Sequence, residues 1–314
     1  MLKVEGQPTH STGETMHDLA KAYWWPSVET LRPNSVRKYA DVYKHHIKPV
    51  FGHLRPSEVR HVQVQEWANS LVRRGIAASS VANHVAMLSS IFKALMRHEA
   101  CQFNPATGVK TPKAKKRRRM MSVEDMRNLL SMVDGTPLAA PVFLAGVLGL
   151  RRGELCGLKW SNVNTRTRRV SVVEQRLIRQ GIKGKAVGEG PVKRESSERS
   201  FVLPQVLMDQ VERVGDKDSI YVCTNGKGKP WNPEHLTGAW ARERSKLGFA
   251  DWHFHDLRHG AGGILAALGI DLLTIAAILG HAKIDTSQLY TGVSEERATY
   301  GLKKVAEALF PVDK

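Results

Sequence analysis

Six side chains spread over about 140 positions could together cleave a phosphodiester bond. That reaction needs cations to neutralise a pentacoordinate phosphate, groups that transfer protons, and a nucleophile. Arginine, lysine, histidine and tyrosine can supply all of these without a metal ion. The residues that could form this set are Arg151, Lys193, His255, Arg258, His281 and Tyr290.

The densest part of the set lies near the C-terminus. His255 and Arg258 are three positions apart, so on a helix they share one face. His281 follows Gly280, and Tyr290 comes nine residues after that histidine. Taken singly, a tyrosine so close to the C-terminus is more often a packing or surface residue, and a histidine–arginine pair on one helix is not unusual. These residues need a longer pattern before a chemical role can be assigned.

Two further candidates lie upstream. Arg151 comes soon after Gly149, which permits a tight turn at the end of an apolar helix, and Glu154 lies three residues on. The Glu154 carboxylate could hold the Arg151 guanidinium in a bidentate pair. Taken alone, this motif favours a structural ion pair at a helix start. Lys193 taken alone would be a lysine that guards a strand edge.

Four segments resemble recurring boxes of the tyrosine recombinase (phage integrase) family. "LGLRRGELCGLKW" (148–160) is similar to TGLRxxE, and "VKRESSERSFVLP" (192–204) is similar to PKTxxSxRxVPLP. "WHFHDLRH" (252–259) contains HxxR, and "LGHAKIDTSQLYTGV" (279–293) is similar to LGHxxxxTTxxYTH. In the last box Ser287 replaces the second threonine and Gly292 replaces the final histidine. The resemblance covers nearly the whole chain, since the N-terminal helices also look like the family's core-binding domain.

The resemblance selects among neighbouring residues of the same type. Its selections are Arg151 rather than Arg152, His255 rather than His253 or His259, and Lys193 with Arg194 and Lys185 as alternatives. Zinc binding by "HFHDLRH" is a rival interpretation. It fails because no clear third and fourth ligand stand at metal spacing.

The roles implied by the resemblance are those of DNA strand cleavage and rejoining. Tyr290 would attack a phosphodiester and form a 3′-phosphotyrosine bond, with His255 as the general base. Lys193 would protonate the leaving 5′-oxygen. The two arginines and His281 would hold the nonbridging oxygens, and Glu154 would support the first arginine. No metal and no cofactor is expected, because the phosphotyrosine conserves the bond energy needed for religation.

The resemblance also implies partners. These are double-stranded DNA with core-type attachment sites and other copies of the chain, which would form a homotetramer on two sites. A host or phage accessory or directionality factor is a further candidate. The helical module begins near residue 16, so no separate arm-binding domain is expected before it.

Composition limits the classes of partner. A formal net charge of +17 over 314 residues favours a polyanion. A membrane surface would call for a basic amphipathic helix, which is not evident, and the longest apolar run (137–150) is too short to span a bilayer. Three distant cysteines form no disulfide framework, and no signal peptide opens the chain. A cytoplasmic location, at the nucleoid or in a host cell, is expected.

The expected fold is mainly α-helical, with a small β-sheet in the C-terminal domain. Hydrophobic spacing and charge predict a flexible N-terminal tail (1–14), a helical domain (15–105), a basic linker (106–121) and a second domain with a C-terminal tail (122–314). The resemblance implies the two-domain tyrosine recombinase architecture, in which the first domain is a SAM-like core-binding domain that binds DNA and the second is an α+β catalytic domain.

The first domain is predicted to contain four helices, near residues 16–25, 34–47, 57–74 and 78–97. Asn34 is a plausible N-cap of the second helix. Candidate DNA contacts on the polar faces of the second and fourth helices are Arg37, Lys38, Asn83 and His84. The linker has seven lysines and arginines between residues 110 and 119. Four of them are candidates to follow a phosphate backbone, namely Lys115, Lys116, Arg117 and Arg118, although a solvated hinge is an alternative.

The second domain is predicted to begin with two helices, the first capped by Ser122 with Asp125. A single strand over 168–178, a glycine-rich turn over 181–190 and a short hairpin around Ser197 and Glu198 follow. The chain after residue 204 is predicted to be helical in about five segments. Among these, one apolar helix should begin at Asp271 and end at Gly280. The last apolar stretch, 302–310, could pack on its own domain or on a neighbouring protomer.

The favoured function is a site-specific integrase of a phage or prophage, because the chain is strongly basic and its first domain is rich in histidine. A Xer-type chromosome-dimer or plasmid resolvase would use the same site. A type IB topoisomerase would share the chemistry but act as a monomer without strand exchange. A DNA-binding regulator without catalytic activity would not need Tyr290.

Overall fold

The chain folds into two compact units, Met1–Arg117 and Arg118–Lys314. The computed structural model describes residues 13–31, 33–112, 120–181, 184–191, 198–280 and 294–311. Each unit has its own apolar core. The expectation of a mainly helical fold with small antiparallel sheets is confirmed.

The first unit is helical throughout its described elements. A capping box at Thr15 and Asp18 starts its first helix. The helices are α1 (Met16–Leu19), α2 (Trp25–Glu29), α3 (Pro33–Val42), α4 (Lys48–Phe51), α5 (His61–Arg73) and α6 (Ala78–Arg97). Two π-helical stretches, Ala20–Trp24 and Tyr43–Ile47, join α1 to α2 and α3 to α4, and a 3-10 turn spans Pro56–Glu58. These elements fall where the four predicted helices were expected.

Two details of the first unit correct the sequence predictions. The second helix begins at Pro33, so Asn34 lies inside it and is not its N-cap. Proline is favourable at a first helical position because its missing N–H would have no helical partner there. His84 is not on a polar face, since it is 7% exposed and its ring lies 4.5 Å from the ring of His46. It lies three residues after buried Val81, on the face that forms the core.

The second unit combines eight helices with five short strands among its described residues. The helices are α7 (Val123–Met132), α8 (Ala139–Gly146), α9 (Arg152–Gly157), α10 (Gln205–Val214), α11 (Pro233–Glu243), α12 (Phe254–Ala267), α13 (Leu272–Leu279) and α14 (Ser294–Leu309). The strands are β1 (Val163–Asn164), β2 (Arg169–Val172), β3 (Glu174–Gly181), β4 (Gly184–Pro191) and β5 (Arg199–Val202). A 3-10 turn spans Trp160–Asn162.

The strands form two antiparallel sheets whose pairing differs in part from the prediction. One sheet has the order β1-β2-β5, and the other pairs β3 with β4. The predicted single strand over 168–178 is therefore two strands that belong to different sheets. The glycine-rich segment predicted as a turn forms β4, which pairs with β3 from Glu174↔Pro191 to Gly181↔Gly184. β5 pairs with β2 and not with β4. The segment predicted to pair with β5 in a short hairpin around residues 197 and 198 lies mostly outside the described residues.

The features predicted at the ends of α7 and α13 are confirmed. Ser122 Oγ accepts a hydrogen bond from the Asp125 backbone N–H at 3.0 Å, and the Asp125 carboxylate accepts one from the Ser122 N–H. Asp271 caps α13, and Gly280 ends that helix in the left-handed region with φ of +62°. The final helix, α14, packs on its own unit through buried residues that include Leu302, Val305 and Leu309.

None of the described helices combines the length and apolar character that crossing a membrane would require.

Candidate active site

The first part of the site is the start of α9. The backbone N–H of Arg151 donates to Glu154 Oε2 at 2.8 Å, and Arg151 Nη1 donates to Glu154 Oε1 at 2.6 Å. The predicted arginine–glutamate pair is therefore present. The Glu154 side chain is 2% exposed, whereas that of Arg151 is 29% exposed. The buried Glu154 carboxylate thus fixes the Arg151 guanidinium, which solvent still reaches.

The second part is Arg258 on α12. Its guanidinium is 3% exposed and lies 3.8 Å from the Glu154 carboxylate. Nη1 donates to the Gly149 carbonyl at 2.6 Å, and Nη2 donates to the Leu279 carbonyl. Gly149 has a φ of +65°, and a Cβ at this position would lie 2.3 Å from a methyl carbon of Leu279. The turn predicted at Gly149 therefore lies against Leu279, the last residue of α13.

A third guanidinium, which was not among the predicted site residues, belongs to Arg199 on β5. Its Nη2 donates to Glu154 Oε2 at 2.9 Å, and its Nε donates to the Ile278 carbonyl at 2.8 Å. The side chain is 7% exposed. A signal was present, because the family pattern for residues 192–204 has an arginine at this position.

The three arginines converge on the last carbonyls of α13. Arg199 binds the carbonyl of Ile278, Arg258 that of Leu279, and Arg151 Nη2 that of Gly280 at 2.5 Å. The final carbonyls of a helix lack partners within it and carry its partial negative charge, so cations are favourable there. We call the three arginines together with Glu154 the arginine cluster.

The arginine cluster has three cations around one carboxylate. Burial alone would raise the pKa of Glu154, but Arg199 and Arg151 outweigh burial and hold this pKa below its ordinary value. Burial, followed by the charge of Arg151, lowers the pKa of Arg258. The excess of positive charge is suited to an anion, and the partly exposed Arg151 lies where an anion could reach it.

His255 lies on α12, three residues before Arg258. Its side chain is exposed, and its ring packs edge-on against that of His259 with centroids 4.8 Å apart. Partial burial, followed by His259 and Arg258, lowers the pKa of His255 below 6.5. A lowered pKa keeps the imidazole neutral at pH 7, which is the form that accepts a proton.

The neighbouring residues of the same type have other contacts. His253 is the N-cap residue of α12, and its backbone N–H donates to the Asp256 carboxylate at 2.9 Å. Arg152 donates to the hydroxyl of Thr237 at 2.5 Å. His253 and Arg152 thus each have a local structural contact. Arg151 differs from Arg152, because it binds Glu154 whereas Arg152 binds Thr237.

A second group of polar side chains connects β3 and β4, the two strands that precede Lys193 in the chain. Lys159 forms ion pairs with Glu174 of β3 at 2.7 Å and with Glu189 of β4 at 3.1 Å. The Tyr221 hydroxyl donates to the same Glu189 carboxylate. These contacts raise the pKa of Lys159, mainly through its hydrogen bonds to the two carboxylates. They fix β4, which ends two residues before position 193.

Several predicted site residues lie outside the described residues, so the structure does not place them. They are Lys193, His281, Tyr290, Lys115, Lys116, Arg117, Arg118 and the alternative Arg194. Lys185 lies in β4, but the orientation of its side chain is likewise outside the description. Within the described ranges, no group of three or more histidine, cysteine, aspartate or glutamate residues is arranged to hold a metal ion.

The candidate DNA contacts of the first unit divide into two groups. Arg37, Lys38 and Asn83 are exposed, as predicted. His84 is buried, and within the part of the chain that the structure describes, its Nδ1 and that of His46 have no hydrogen-bond partner. Burial comes first among the causes that lower the pKa of His84, followed by His46 and Lys38. His84 is therefore a core residue and not a surface contact.

Comparison with known proteins identifies the family of the chain. The profile described as "Phage integrase family" matches residues 119–297, and "Phage integrase, N-terminal SAM-like domain" matches residues 15–72. A "Tyrosine recombinase XerC-like" protein of Caldanaerobacter subterraneus is 26% identical over 91% of this chain and 81% of its own length. Tyrosine recombinase XerC of Xylella fastidiosa is 27% identical over 79% of this chain and 80% of its own length.

Solved structures show the same fold at low sequence identity. The Tn1549 transposon integrase in complex with transposon right end DNA gives a TM-score of 0.73 at 19% identity, over 93% of this chain and 99% of that one. The lambda integrase tetramer bound to a Holliday junction gives 0.65 at 17% identity, over 88% of this chain and 77% of that one.

Proposed function

Because this chain belongs to the phage integrase family, a family of tyrosine recombinases that cleave and rejoin DNA, we propose that it is a site-specific integrase that acts through a 3′-phosphotyrosine intermediate. The observation that carries the proposal is the arginine cluster at the end of α13, one residue before position 281. A preorganised positive site of this kind is suited to charge that develops on a phosphate in the transition state.

The proposed cleavage step uses the residues selected from the sequence. The Tyr290 hydroxyl attacks the phosphorus, and His255 takes up the phenolic proton. The bond to the 5′-oxygen breaks, and Lys193 protonates that oxygen as it leaves. Arg151, Arg258 and His281 hold the nonbridging oxygens. The lowered pKa of the exposed His255 supports its role as the base, since the neutral ring is available at pH 7.

Rejoining is the reverse of cleavage with a different DNA end. A new 5′-hydroxyl gives its proton to Lys193 and attacks the phosphorus, and the bond to the Tyr290 oxygen breaks. The phenolate takes its proton back from His255, and the phosphodiester is restored without ATP or a cofactor. Two such exchanges on two duplexes would recombine them through a Holliday junction. We place four copies of the chain on the two core sites, and the lambda integrase tetramer on a Holliday junction supports this arrangement.

The first unit and the linker would supply most of the contacts to double-stranded DNA. Arg37, Lys38 and Asn83 are exposed on α3 and α6, where they could meet phosphates or base edges. The cations of the linker, Lys115, Lys116, Arg117 and Arg118, would follow the phosphate backbone without reading sequence. The enzyme would act at the nucleoid or in the host cytoplasm, and an integrase could also have a directionality factor as a partner.

A Xer-type resolvase is the second candidate function. The observation in its favour is that relatives similar over most of the chain are named XerC or XerD. Both functions use the same chemistry, so they differ in the DNA that is recombined. An integrase should bind both ends of a mobile element and a chromosomal target, whereas a resolvase should bind one site present in each copy of a replicon.

Covalent capture of DNA tests the proposal directly. The full chain is incubated with sheared DNA from the organism that carries the gene, the reaction is denatured, and protein-linked fragments are sequenced. We expect a discrete set of sites, with the linkage on Tyr290 by mass spectrometry of the adduct. Tyr290→Phe should still bind DNA but give no adduct, because it lacks the nucleophile.

The matched control is Tyr300→Phe. Tyr300 lies on α14, is 57% exposed and is the obvious substitute nucleophile. This variant should form the adduct as wild type does. An adduct that persists in Tyr290→Phe would refute the assignment of the nucleophile. The absence of any adduct with wild type would leave a DNA-binding regulator as the better description.

A further inference from the structure

Arg199 occupies a position that the proposed reaction does not use. It lies on β5, in a different sheet from the strand pair that leads to Lys193. Its guanidinium joins two acceptors, Glu154 Oε2 at 2.9 Å and the Ile278 carbonyl at 2.8 Å. With the side chain 7% exposed, DNA cannot reach it as it reaches a surface cation.

The same guanidinium lies against the turn at Gly280. A Cβ on Gly280 would be 2.9 Å from Arg199 Nη1 and 3.3 Å from Arg199 Cδ. Gly280 also has a positive φ, so a side chain there would be strained as well as crowded. Arg199 therefore forms the surface on which the chain turns immediately before position 281.

These contacts link two parts of the site that are far apart in sequence. Glu154, which Arg199 binds, holds Arg151 through both the backbone N–H and Nη1. Ile278, which Arg199 also binds, precedes the two residues whose carbonyls accept from Arg258 and Arg151. A guanidinium is a rigid planar fork, so it sets the spacing between its two acceptors.

We propose that Arg199 is a positioning residue for DNA strand cleavage, one that aligns Arg151 with the turn at Gly280 while touching no DNA. The proposal rests on the proposed function, because it assigns Arg199 a part in that reaction. Arg199 would act on the cleavage rate and not on DNA affinity. Misplacement of catalytic groups by about 1 Å can cost on the order of 100-fold in rate.

The neighbouring strand offers a matched control. Arg169 on β2 also forms an ion pair, with Glu295 at 2.7 Å, but it is 43% exposed and has no contact with the arginine cluster among the described interactions. Its strand pairs directly with β5, with Arg169 opposite Val202. Arg169→Met and Arg199→Met thus remove the same group from the same sheet, and only the second should disturb the site.

The cleavage experiment uses a duplex recovered by covalent capture, nicked so that cleavage cannot be reversed. We expect Arg199→Met to slow single-turnover adduct formation on the order of 100-fold, with DNA affinity within about 2-fold of wild type. Arg199→Lys should recover part of the rate, since one ammonium can serve only one of the two acceptors well. Arg169→Met should cleave at nearly the wild-type rate. Wild-type rates in Arg199→Met, or equal losses in both methionine variants, would overturn the proposal.

Chemical rescue separates positioning from general stability. Arg199→Ala should regain cleavage when guanidinium is added at concentrations too low to unfold the protein, while equal sodium or ammonium chloride should not help. Thermal unfolding monitors the folded fraction in each variant. A loss of cleavage that follows the loss of folded protein, without rescue by guanidinium, would assign Arg199 to stability alone and overturn the proposal.

Hydrogen exchange gives a readout that does not depend on the reaction. Exchange of the amides in the last turn of α13 should be faster in Arg199→Met than in Arg169→Met at equal global stability. Unchanged exchange there would show that Arg199 does not hold the turn, and the proposal would fail whatever the cleavage rates. If wild type forms no adduct, the proposed function fails, and the exchange measurement still decides whether Arg199 positions the turn.

Discussion

The two units differ in the polar side chains that they bury. Among the described residues that are classed as buried and polar, one lies in the first unit, namely His84. Those of the second unit are Glu154, Gln175, Asp256, Arg258 and Thr274. The carboxylates of Glu154 and Asp256 and the guanidinium of Arg258 have partners within hydrogen-bond distance. Among the described residues, Nδ1 of His84 has none, and in the second unit the same holds for Nε and Nη1 of the partly buried Arg176.

This difference in buried polar side chains indicates that the two units have different roles. Burying a charge is unfavourable unless it is paired, so a paired cluster implies that fixed geometry is needed there. In the second unit that geometry surrounds the proposed phosphate site. The first unit keeps cations such as Lys38 exposed, where they can bind a polyanion without being desolvated in advance. We therefore expect chemistry and DNA affinity to be separated between the units.

The largest effect should come from removing the buried carboxylate. Glu154→Gln leaves the buried guanidiniums of Arg199 and Arg258 without their counter-charge. Breaking a buried pair in this way should lower the free energy of unfolding of the second unit by about 3–5 kcal/mol. Urea-induced unfolding gives the value, and hydrogen exchange assigns it to the second unit.

Glu295→Gln is the control for this prediction. It removes a carboxylate from an ion pair whose partners are 43% and 39% exposed. Such pairs contribute about 0–1 kcal/mol. Similar losses in both variants would mean that the arginine cluster is no more preorganised than the surface, and the contrast between the units would fail.

The next largest effect should be on catalysis. Arg151→Ala should cost about 2.7–4 kcal/mol of transition-state stabilisation if its guanidinium acts like an oxyanion donor. Adduct formation in a single turnover measures this, and DNA affinity should change far less because many other cations hold the backbone. Arg152→Ala, next in sequence and bound to Thr237, should cleave nearly as wild type does. The reverse ranking of the two variants would show that the catalytic arginine was assigned to the wrong residue.

The features predicted well from the sequence depend on few neighbouring residues. The cap at Asp271, the end of α13 at Gly280 and the turn at Gly149 each follow from a residue's own conformational preference. The Arg151–Glu154 pair is three residues apart, so helix geometry alone brings it together. The fold class and the Arg151 side of the arginine cluster therefore follow from short-range patterns in the chain.

The features that were missed have different causes, and only some of them depend on distant parts of the chain. Arg199 meets Glu154 and Ile278 across 45 and 79 positions, distances over which no local pattern carries information. The pairing of β4 with β3 is local, with Gly181 opposite Gly184, but the glycines of β4 gave the segment the composition of a turn. His84 is different, because its spacing from Val81 and Leu88 already placed it on the apolar face. Its polar ring suggested a surface position that this spacing contradicts.

A smaller effect is expected at the histidine pair of the first unit. His84→Phe keeps a ring against His46 and removes a buried nitrogen that has no partner. An unsatisfied buried polar group costs about 1–3 kcal/mol, so the variant should be as stable as wild type or more stable by about 1 kcal/mol. Urea unfolding at a pH of about 7.5, above the ordinary histidine pKa, measures the difference. A loss of several kcal/mol would show that His84 has a polar role in the core.

The same pair should make the first unit sensitive to acid. Burial, the first cause in both cases, lowers the pKa of His46 and of His84 below 6.5, so the unfolded chain binds protons more readily. Stability that is present above pH 6.5 should fall as the pH drops below it. His84→Phe should reduce this dependence, whereas His53→Phe, at an exposed position, should not.

The smallest effect is expected at the exposed face of the first unit, where each contact is one of many. If Lys38 meets a phosphate, Lys38→Gln should reduce the slope of log Kd against log salt by about 0.9 and leave the order of preferred sites unchanged. Asn83 can form directed hydrogen bonds to a base edge, so Asn83→Ala should instead alter that order while the slope stays constant. Filter binding of the captured sites at several salt concentrations measures both quantities.

Since Lys38 and Asn83 are exposed and belong to the unit without the arginine cluster, neither variant should change the rate of adduct formation at saturating DNA. A fall in that rate would mean that the first unit also takes part in the chemistry. The proposed separation of chemistry from DNA affinity between the two units would then be wrong.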